Sequence, residues 1–115
     1  MAPVSVVETP TFLSTTKKLM NDQERALLVD YLANNPTSGD VIPGTGGVRK
    51  LRWGLEGRGK RGGARVVYFY HGADMPLFAL VAFAKNDRAD LSQQERNDFR
   101  RLTALLVEAF GRRRS

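Results

Sequence analysis

Two apolar runs in the second half of the chain constrain its fold more than any other feature. Residues 66–70 are VVYFY and residues 77–83 are LFALVAF, with the turn-forming stretch HGAD shortly after the first run. Neither run alternates apolar with polar side chains, so both faces of each strand must be covered by other parts of the chain. We therefore predict that the two strands form a hairpin at the centre of a sheet.

The flanking segments have the patterns of helices and of further strands. Thr9 precedes a proline and is expected to cap a helix that begins there. Asn21 and Ser92 each precede a glutamate by three residues, which is the spacing of a capping box. Gly111 is expected to end the last helix. The predicted strands are residues 4–7, 48–53, 64–70 and 76–84, and the predicted loop between the second and the third is residues 54–63.

The order of these elements is strand, two helices, three strands and helix. It predicts a single α+β domain over residues 1–115, with a helical hairpin near the N-terminus and a helix at the C-terminus. The sheet is expected to be antiparallel and mixed at its N-terminal strand. With no cysteine and one histidine, we expect no metal and no cofactor. No apolar run is long enough to span a bilayer and no signal sequence is evident, so we expect a cytoplasmic protein without a membrane partner.

The positive charge of the chain is concentrated in its middle. Residues 41–65 carry seven Lys and Arg against one Glu, and this excess equals the whole net charge of +6. Glycines at positions 57, 59, 62 and 63 separate several of these cations, so that backbone and side chains are able to approach a ligand closely. Such a segment favours a polyanion as partner, and a solvated basic loop is the alternative.

Antiparallel pairing brings the cations together in space. The strand that ends at Trp53 and the strand that begins near Arg65 meet at one end of the sheet, and the hairpin returns the chain there at residues 83 and 84. His71 falls at the opposite end, roughly 20 Å away at about 3.3 Å per residue, and is expected to be a turn residue. The cations expected to share one end are Arg52, Arg58, Lys60, Arg61, Arg65, Lys85 and Arg88.

A cluster of cations without cysteine, metal or a nearby histidine suits RNA cleavage by the 2′-hydroxyl. That reaction needs no water and no metal, but it needs positive charge on the phosphorane and two proton transfers. Arginines supply the charge, and a lysine crowded by other cations, Lys60 or Lys85, is the candidate for proton transfer. A surface that only binds RNA is the alternative.

Three weaker features have two interpretations each. Residues 44–47, GTGG, are either a phosphate-binding loop or a tight turn, and the turn is favoured because no Gly-Lys-Ser/Thr follows. Asp87 and Asp90 either act as a base or neutralise neighbouring cations and start the last helix. Trp53 either stacks on a base or belongs to the core. Along residues 48–53 the alternation directs Lys50 and Arg52 to one face and Arg49 to the other.

Three segments together resemble the RelE/ParE superfamily of toxins from type II toxin–antitoxin pairs, most closely its HigB-like RelE branch. The segments are GDVIPGTGGVRKLRW, GRGKRGGARVVYFY and FALVAFAKNDRADLS. The resemblance implies a RelE-like fold, cleavage of mRNA in the ribosomal 30S A site, and silencing by a cognate antitoxin. Arg65 matches the arginine that such toxins place on the scissile phosphate. RelE also carries a tyrosine after the last of these segments, and Ser92 stands near its place.

These observations give one functional hypothesis and two alternatives. The hypothesis is a metal-independent mRNA endoribonuclease, whose antitoxin we expect to be of the helix-turn-helix type. A ParE-like toxin that inhibits gyrase without catalysis is the first alternative, and a basic nucleic-acid-binding domain is the second. The predicted catalytic residues are Arg65, Arg61, Lys60, Arg58 and Lys85. The predicted RNA-binding residues are Arg49, Lys50, Arg52, Trp53, Arg88, Arg112, Arg113 and Arg114.

Overall fold

A computed structural model describes residues 3–55 and 59–113, and the side chains of residues 3–55 and 63–111. The described residues form five strands and three helices. In chain order these are β1 (Val6–Glu8), α1 (Pro10–Lys17), α2 (Asp22–Asn34), β2 (Asp40–Val41), β3 (Val48–Leu55), β4 (Gly59–Phe69), β5 (Leu77–Ala84) and α3 (Gln93–Arg113). Among the described residues, no helix is both long enough and apolar enough to cross a membrane.

The strands form one mixed sheet in the order β1-β5-β4-β3-β2. β1 runs parallel to β5, and all the other neighbours are antiparallel. This confirms the predicted α+β class and the mixed pairing at the N-terminal strand. The two apolar strands, β4 and β5, are both interior, as their sequences predicted.

Apolar layers cover both faces of β4. On one face, Val66 and Tyr68 pack against Phe12 of α1 and against Leu28 and Leu32 of α2, and all five are completely buried. We call this the hairpin face. On the other face, the α3 face, Val67 and Phe69 pack with Phe99, Leu102 and Leu106 of the long C-terminal helix. Each fully buried side chain of this size contributes about 1.5–3 kcal/mol, which is why a strand without polar alternation is stable here.

The predicted helix starts are confirmed by their hydrogen bonds. The Thr9 hydroxyl accepts a hydrogen bond from the Phe12 N–H at 3.2 Å, and proline occupies the first turn of α1. The capping box at Asn21 is complete. The box at Ser92 is also complete, because its hydroxyl and its backbone N–H both bond to the glutamate three residues later.

The predicted loop over residues 54–63 is wrong for most of its length. β3 continues to Leu55, which pairs with Gly59, and β4 then runs without interruption from that glycine. The glycine spacing favoured a loop, but glycine is also accommodated in a strand next to a bulge. The register shifts here between Trp53 and Leu55. The basic segment therefore belongs largely to a strand, and only residues 56–58 lie outside the described part.

The bounds of two elements also differ from those that the sequence predicted, and one short strand was not predicted. α3 continues through Gly111 to Arg113, because one glycine near a helix end costs only about 1 kcal/mol. β1 lies at Val6–Glu8 rather than at residues 4–7, since its partners are Leu77–Ala79. The two-residue strand β2 was not predicted, because it lies in a segment rich in turn residues.

Candidate functional site

A pocket of about 400 Å³ lies on the α3 face, at the end of the sheet near the start of α3. Five of its eleven lining residues are cationic and two are acidic. We call it the cation pocket. Its lining residues are Asp40, Val41, Ile42, Pro43, Lys50, Arg52, Arg65, Lys85, Ala89, Asp90 and Arg96. The predicted gathering of cations at this end is confirmed for Arg52, Arg65 and Lys85.

The register of β3 and β4 explains why arginines meet here. Arg52 lies directly opposite Arg65 across the two strands. Both side chains are on the face that carries Val48 and Val67, since alternate residues of a strand share a face. Like charges directly opposite each other destabilise a sheet. The pairing therefore favours an anion between the two guanidinium groups.

Arg65 is the most buried cation of the pocket. Only 6% of its surface is exposed, and its Nη1 donates to the Ala64 carbonyl at 3.4 Å. Within the described residues, no carboxylate lies within ion-pair distance of its guanidinium. A buried charge without a counter-ion is costly, so this guanidinium is well suited to receive an anionic group from a ligand.

Asp90 joins two other cations of the pocket. Its Oδ2 accepts hydrogen bonds from Lys50 Nζ and from Arg96 Nη2, each at 3.2 Å. Its Oδ1 accepts from the Leu91 N–H at 2.8 Å, just before α3 begins. Burial alone would raise the pKa of Asp90, but these hydrogen bonds and the two positive charges outweigh it and hold the pKa below its usual value. This confirms that Asp90 neutralises neighbouring cations.

Arg96 is a pocket residue that the sequence analysis missed. It lies in the first turns of α3, and its Nη1 also reaches the Pro43 carbonyl at 3.4 Å. A cation near the N-terminus of a helix opposes the helix dipole. That unfavourable position is the feature of the sequence that could have identified Arg96, because a cation there requires a compensating partner. Asp90 is that partner.

Lys85 and Arg52 complete the accessible part of the pocket. Both are exposed, and within the described residues neither takes part in an ion pair. The Lys85 backbone N–H donates to the Gly63 carbonyl at 3.1 Å, which ties the start of the loop after β5 to β4. Both charged groups are therefore available to a ligand.

Arg88 lies beside the pocket rather than in it. Its guanidinium pairs with Glu95 and stands 4.4 Å from the ring centroid of Phe83. Burial would raise the pKa of Glu95, but the hydrogen bonds from Arg88 and Ser92 lower it overall. Arg88 borders a different cavity, between β5 and α1. It thus links the loop after β5 to α3, and its predicted contact with RNA stays a prediction.

Arg49 and Trp53 lie on the hairpin face, as the alternation of β3 predicted. Arg49 Nη1 donates to the carbonyls of Thr37 and Gly39, at 3.2 and 2.7 Å. Trp53 packs beside Tyr31 of α2, with 5.6 Å between the ring centroids. Neither side chain lines the cation pocket, and their RNA-binding roles stay predictions.

Several predicted site residues fall outside the described part of the chain. These are Arg58 and Arg114 entirely, and the side chains of Lys60, Arg61, Arg112 and Arg113. The backbone of positions 60 and 61 lies in β4, immediately before the segment that carries Arg65.

Two expectations about residues outside the site can be compared with the structure. His71 is exposed at the other end of β4, which confirms its predicted place, with its ring 6.2 Å from that of Phe69. It precedes the turn, which the Met75 N–H closes on the Gly72 carbonyl, rather than belonging to it. Residues 44–47 form a tight turn, in which Gly44, Gly46 and Gly47 have positive φ. The Thr45 hydroxyl closes this turn by donating to the Ile42 carbonyl at 2.6 Å.

The fold and the pocket together define a small basic α+β protein with a pocket lined by five cationic side chains. The family model described as RelE toxin of the RelE / RelB toxin–antitoxin system matches residues 6–112. The chain therefore belongs to the RelE toxin family. Membership implies that the protein is the toxin of a type II toxin–antitoxin pair and that it has an antitoxin partner.

Proposed function

We propose that this protein is a cytoplasmic, ribosome-dependent mRNA endoribonuclease of the HigB-like branch. The observation that carries the proposal is Arg65, a nearly buried guanidinium opposite a second arginine, in a pocket where no described carboxylate pairs with it. A phosphate diester is the anion that this arrangement suits. The partners would be mRNA in the 30S A site and a cognate antitoxin of the helix-turn-helix type.

The cation pocket suits cleavage by the ribose 2′-hydroxyl. The 2′-oxygen forms a bond to the adjacent phosphorus, the bond from phosphorus to the 5′-oxygen breaks, and no water is consumed. Negative charge grows on the phosphorane oxygens, where Arg65 and Arg52 would stabilise it with paired N–H donors. The products would be a 2′,3′-cyclic phosphate and a 5′-hydroxyl.

Two proton transfers accompany the change of bonds. One proton leaves the attacking 2′-hydroxyl and another joins the departing 5′-oxygen. The exposed ammonium group of Lys85 at the pocket supports it as one candidate, and Lys60 is the other. Asp90 is a poor base, because its carboxylate already accepts from three donors and its pKa is lowered.

The other cations would hold RNA around the reacting phosphate. Arg58 and Arg61, which precede Arg65 in the same basic segment, would add positive charge at the scissile phosphate. The positions proposed to contact RNA outside the reaction centre are Arg49, Lys50, Trp53, Arg88, Arg112, Arg113 and Arg114, and Lys50 is the one among them that lines the pocket.

Mapping of mRNA 5′ ends after induction tests this function. Wild-type protein should produce new 5′ ends in phase with codons, and Arg65→Ala should abolish them. Arg101→Ala is the matched control, because Arg101 is an exposed arginine of α3 that pairs with Asp98 and does not line the pocket. Cells that express the control variant should show the wild-type pattern of ends.

Two other results would contradict the proposal. DNA damage with intact mRNA would identify a ParE-like inhibitor of gyrase. Toxicity without either effect, together with binding of nucleic acid, would identify a basic nucleic-acid-binding domain. Uncut free RNA would not decide the matter, because the proposed reaction takes place on the ribosome.

A further inference from the structure

A second cavity lies along β3, beyond the part of the strand that β2 covers. β2 pairs only with Arg49 and Lys50. The second cavity has a volume of about 270 Å³ and lies next to the following residues of the strand. Its lining residues are Tyr31, Leu51, Arg52, Trp53 and Gly54. We call it the aromatic cavity.

The two rings of the aromatic cavity are placed differently from the aromatic side chains of the core. Tyr31 is 39% exposed, whereas Tyr68, on the same face of the sheet, is completely buried and uses its hydroxyl to accept from the Gly39 N–H. Tyr31 and Trp53 are tilted by 55° rather than stacked on each other. They therefore offer ring surface to a planar group that enters from solvent.

Arg52 connects the aromatic cavity to the cation pocket. It lines both cavities and is itself exposed. Trp53 is the next residue of the strand and points to the opposite face, so the two cavities lie on either side of β3. A ligand that bridges them needs an anionic group for the pocket and a flat apolar group for the rings. A nucleotide has both.

We propose that Tyr31 and Trp53 form a stacking site for one unpaired base of the RNA, next to the phosphate held by the cation pocket. Stacking on aromatic side chains is a general means of binding single-stranded RNA and tolerates every base. The inference rests on the proposed function for the source of the RNA. The stacking site would add a contact to a base beside the contact of the cation pocket to the phosphate. This second contact would favour cleavage beside bases that stack well.

The adjoining cation pocket, which shares Arg52 with this cavity, favours RNA over a protein as the ligand. One observation favours a protein: Leu27, one turn before Tyr31 on α2, is 66% exposed and extends the apolar surface. Leu27 does not line the cavity, however. The antitoxin is therefore the competing occupant, and the experiment must separate the two.

The fluorescence of Trp53 tests the proposal directly, because this residue is the single tryptophan of the chain. The probe is a short 2′-O-methyl RNA oligomer with a terminal dye, which cannot be cleaved and whose binding is followed by anisotropy at low salt. The second probe is the same oligomer with abasic residues, which keeps every phosphate and removes the bases.

The proposal predicts that the intact oligomer quenches Trp53 as it binds and that the abasic oligomer does not. Tyr31→Leu should weaken binding of the intact oligomer on the order of tenfold and leave the abasic oligomer unaffected. Leu27→Ala is the matched control on the same helix and should bind both oligomers as the wild type does. Circular dichroism melts would show that each variant is folded.

Four results would overturn the proposal. They are binding without any change of Trp53 fluorescence, equal quenching by the abasic oligomer, no binding of either oligomer at low salt, and quenching by purified antitoxin but not by RNA. The stacking site lies within one chain, so it needs no ribosome to be observed.

Mapping of cuts on ribosomes separates this proposal from the proposed function. If the wild type cuts mRNA, and Tyr31→Leu at limiting protein concentration cuts at the wild-type rate and with the wild-type sequence preference, the stacking site is wrong while the cleavage reaction stands. If the intact oligomer quenches Trp53 but the wild type never cuts mRNA, the stacking site stands and the endoribonuclease function is wrong.

Discussion

The two faces of the sheet carry similar arginines that are used in opposite ways. On the hairpin face, the Arg49 guanidinium donates to two backbone carbonyls of the segment between α2 and β2. On the α3 face, Arg65 is buried, yet its one described hydrogen bond is a long one to the carbonyl of its neighbour. The first arginine stabilises the fold. The second has binding capacity that the described part of the protein does not use.

The partners of a cation indicate its role better than its burial does. Hydrogen bonds from Arg49 Nη1 to two backbone carbonyls indicate a structural role, although Arg49 Nε is buried without a partner among the described residues. A buried guanidinium that no described carboxylate pairs with, as in Arg65, indicates a ligand, because an unpaired buried charge lowers stability. Variants on the two faces should therefore affect different quantities. Loss of Arg65 should change activity, and loss of Arg49 should change the free energy of unfolding.

The largest effect is expected from Arg65→Ala, measured as single-turnover cleavage of mRNA on programmed ribosomes. Loss of one preorganised donor to a charged transition state lowers the rate roughly a hundredfold to a thousandfold. The free energy of unfolding should fall by much less than the activation free energy rises, because the variant also removes an unpaired buried charge. A variant that melts far below the wild type and keeps its activity would reverse the two roles.

The turn at residues 44–47 contacts Thr103 of α3, and its glycines test this contact on the α3 face through stability. Gly46 has φ 77°, and a Cβ there would collide with the Thr103 hydroxyl of α3, so Gly46→Ala should cost about 3 kcal/mol. Gly44 has φ 79° but open space around it, so Gly44→Ala should cost only about 1 kcal/mol. Urea denaturation measures both values, and equal costs would mean that the contact with α3 is unimportant.

Arg49→Ala is the counterpart of Arg65→Ala on the hairpin face. It removes the described hydrogen bonds from a charged donor to Thr37 and Gly39, so the free energy of unfolding should fall by about 1–2 kcal/mol. The cleavage rate per folded molecule should stay within about twofold of the wild type, because the side chain does not line the pocket. A hundredfold loss of activity at full stability would place Arg49 at the reaction centre, rather than among the residues that contact RNA around it.

The smallest effect concerns the acid stability of the cation pocket. A lowered folded-state pKa means that Asp90 contributes stability above its usual pKa of 3.8 and loses it as the pH falls through the folded value. Asp90→Asn should therefore lower stability near neutral pH by about 0.5 kcal/mol, and this difference should shrink below about pH 4. Urea midpoints across this range measure it, and a difference independent of pH would contradict the ion-pair account.

The sequence predicted those parts of the fold that depend on local patterns. The capping boxes at Asn21 and Ser92, the central apolar strands and the cation-rich end of the sheet all follow from spacing and pairing. The start of β4 was missed, because glycines at positions 59, 62 and 63 favour loops. The contacts seen in the fold come from outside this segment: Gly59 pairs with Leu55, and the Gly63 carbonyl accepts from the Lys85 N–H.

The inner arrangement of the site depended on contacts between distant segments. The junction of Lys50, Asp90 and Arg96 joins β3 to the start of α3, and no local pattern encodes it. The sequence predicted one part of the contrast between Arg49 and Arg65, because alternation along β3 placed Arg49 on the face away from the pocket. The carbonyls that engage its guanidinium come from a turn-rich segment and became evident only in the fold.

The end groups of mRNA cut on ribosomes reveal whether the ribose 2′-hydroxyl is the nucleophile. The proposed 2′-hydroxyl mechanism predicts a 2′,3′-cyclic phosphate and a 5′-hydroxyl from the wild type. It also predicts no cut when the ribose before the scissile phosphate lacks its 2′-hydroxyl, and almost none with Arg65→Ala. A 5′-phosphate at the cut, or undiminished cutting by Arg65→Ala, would contradict it.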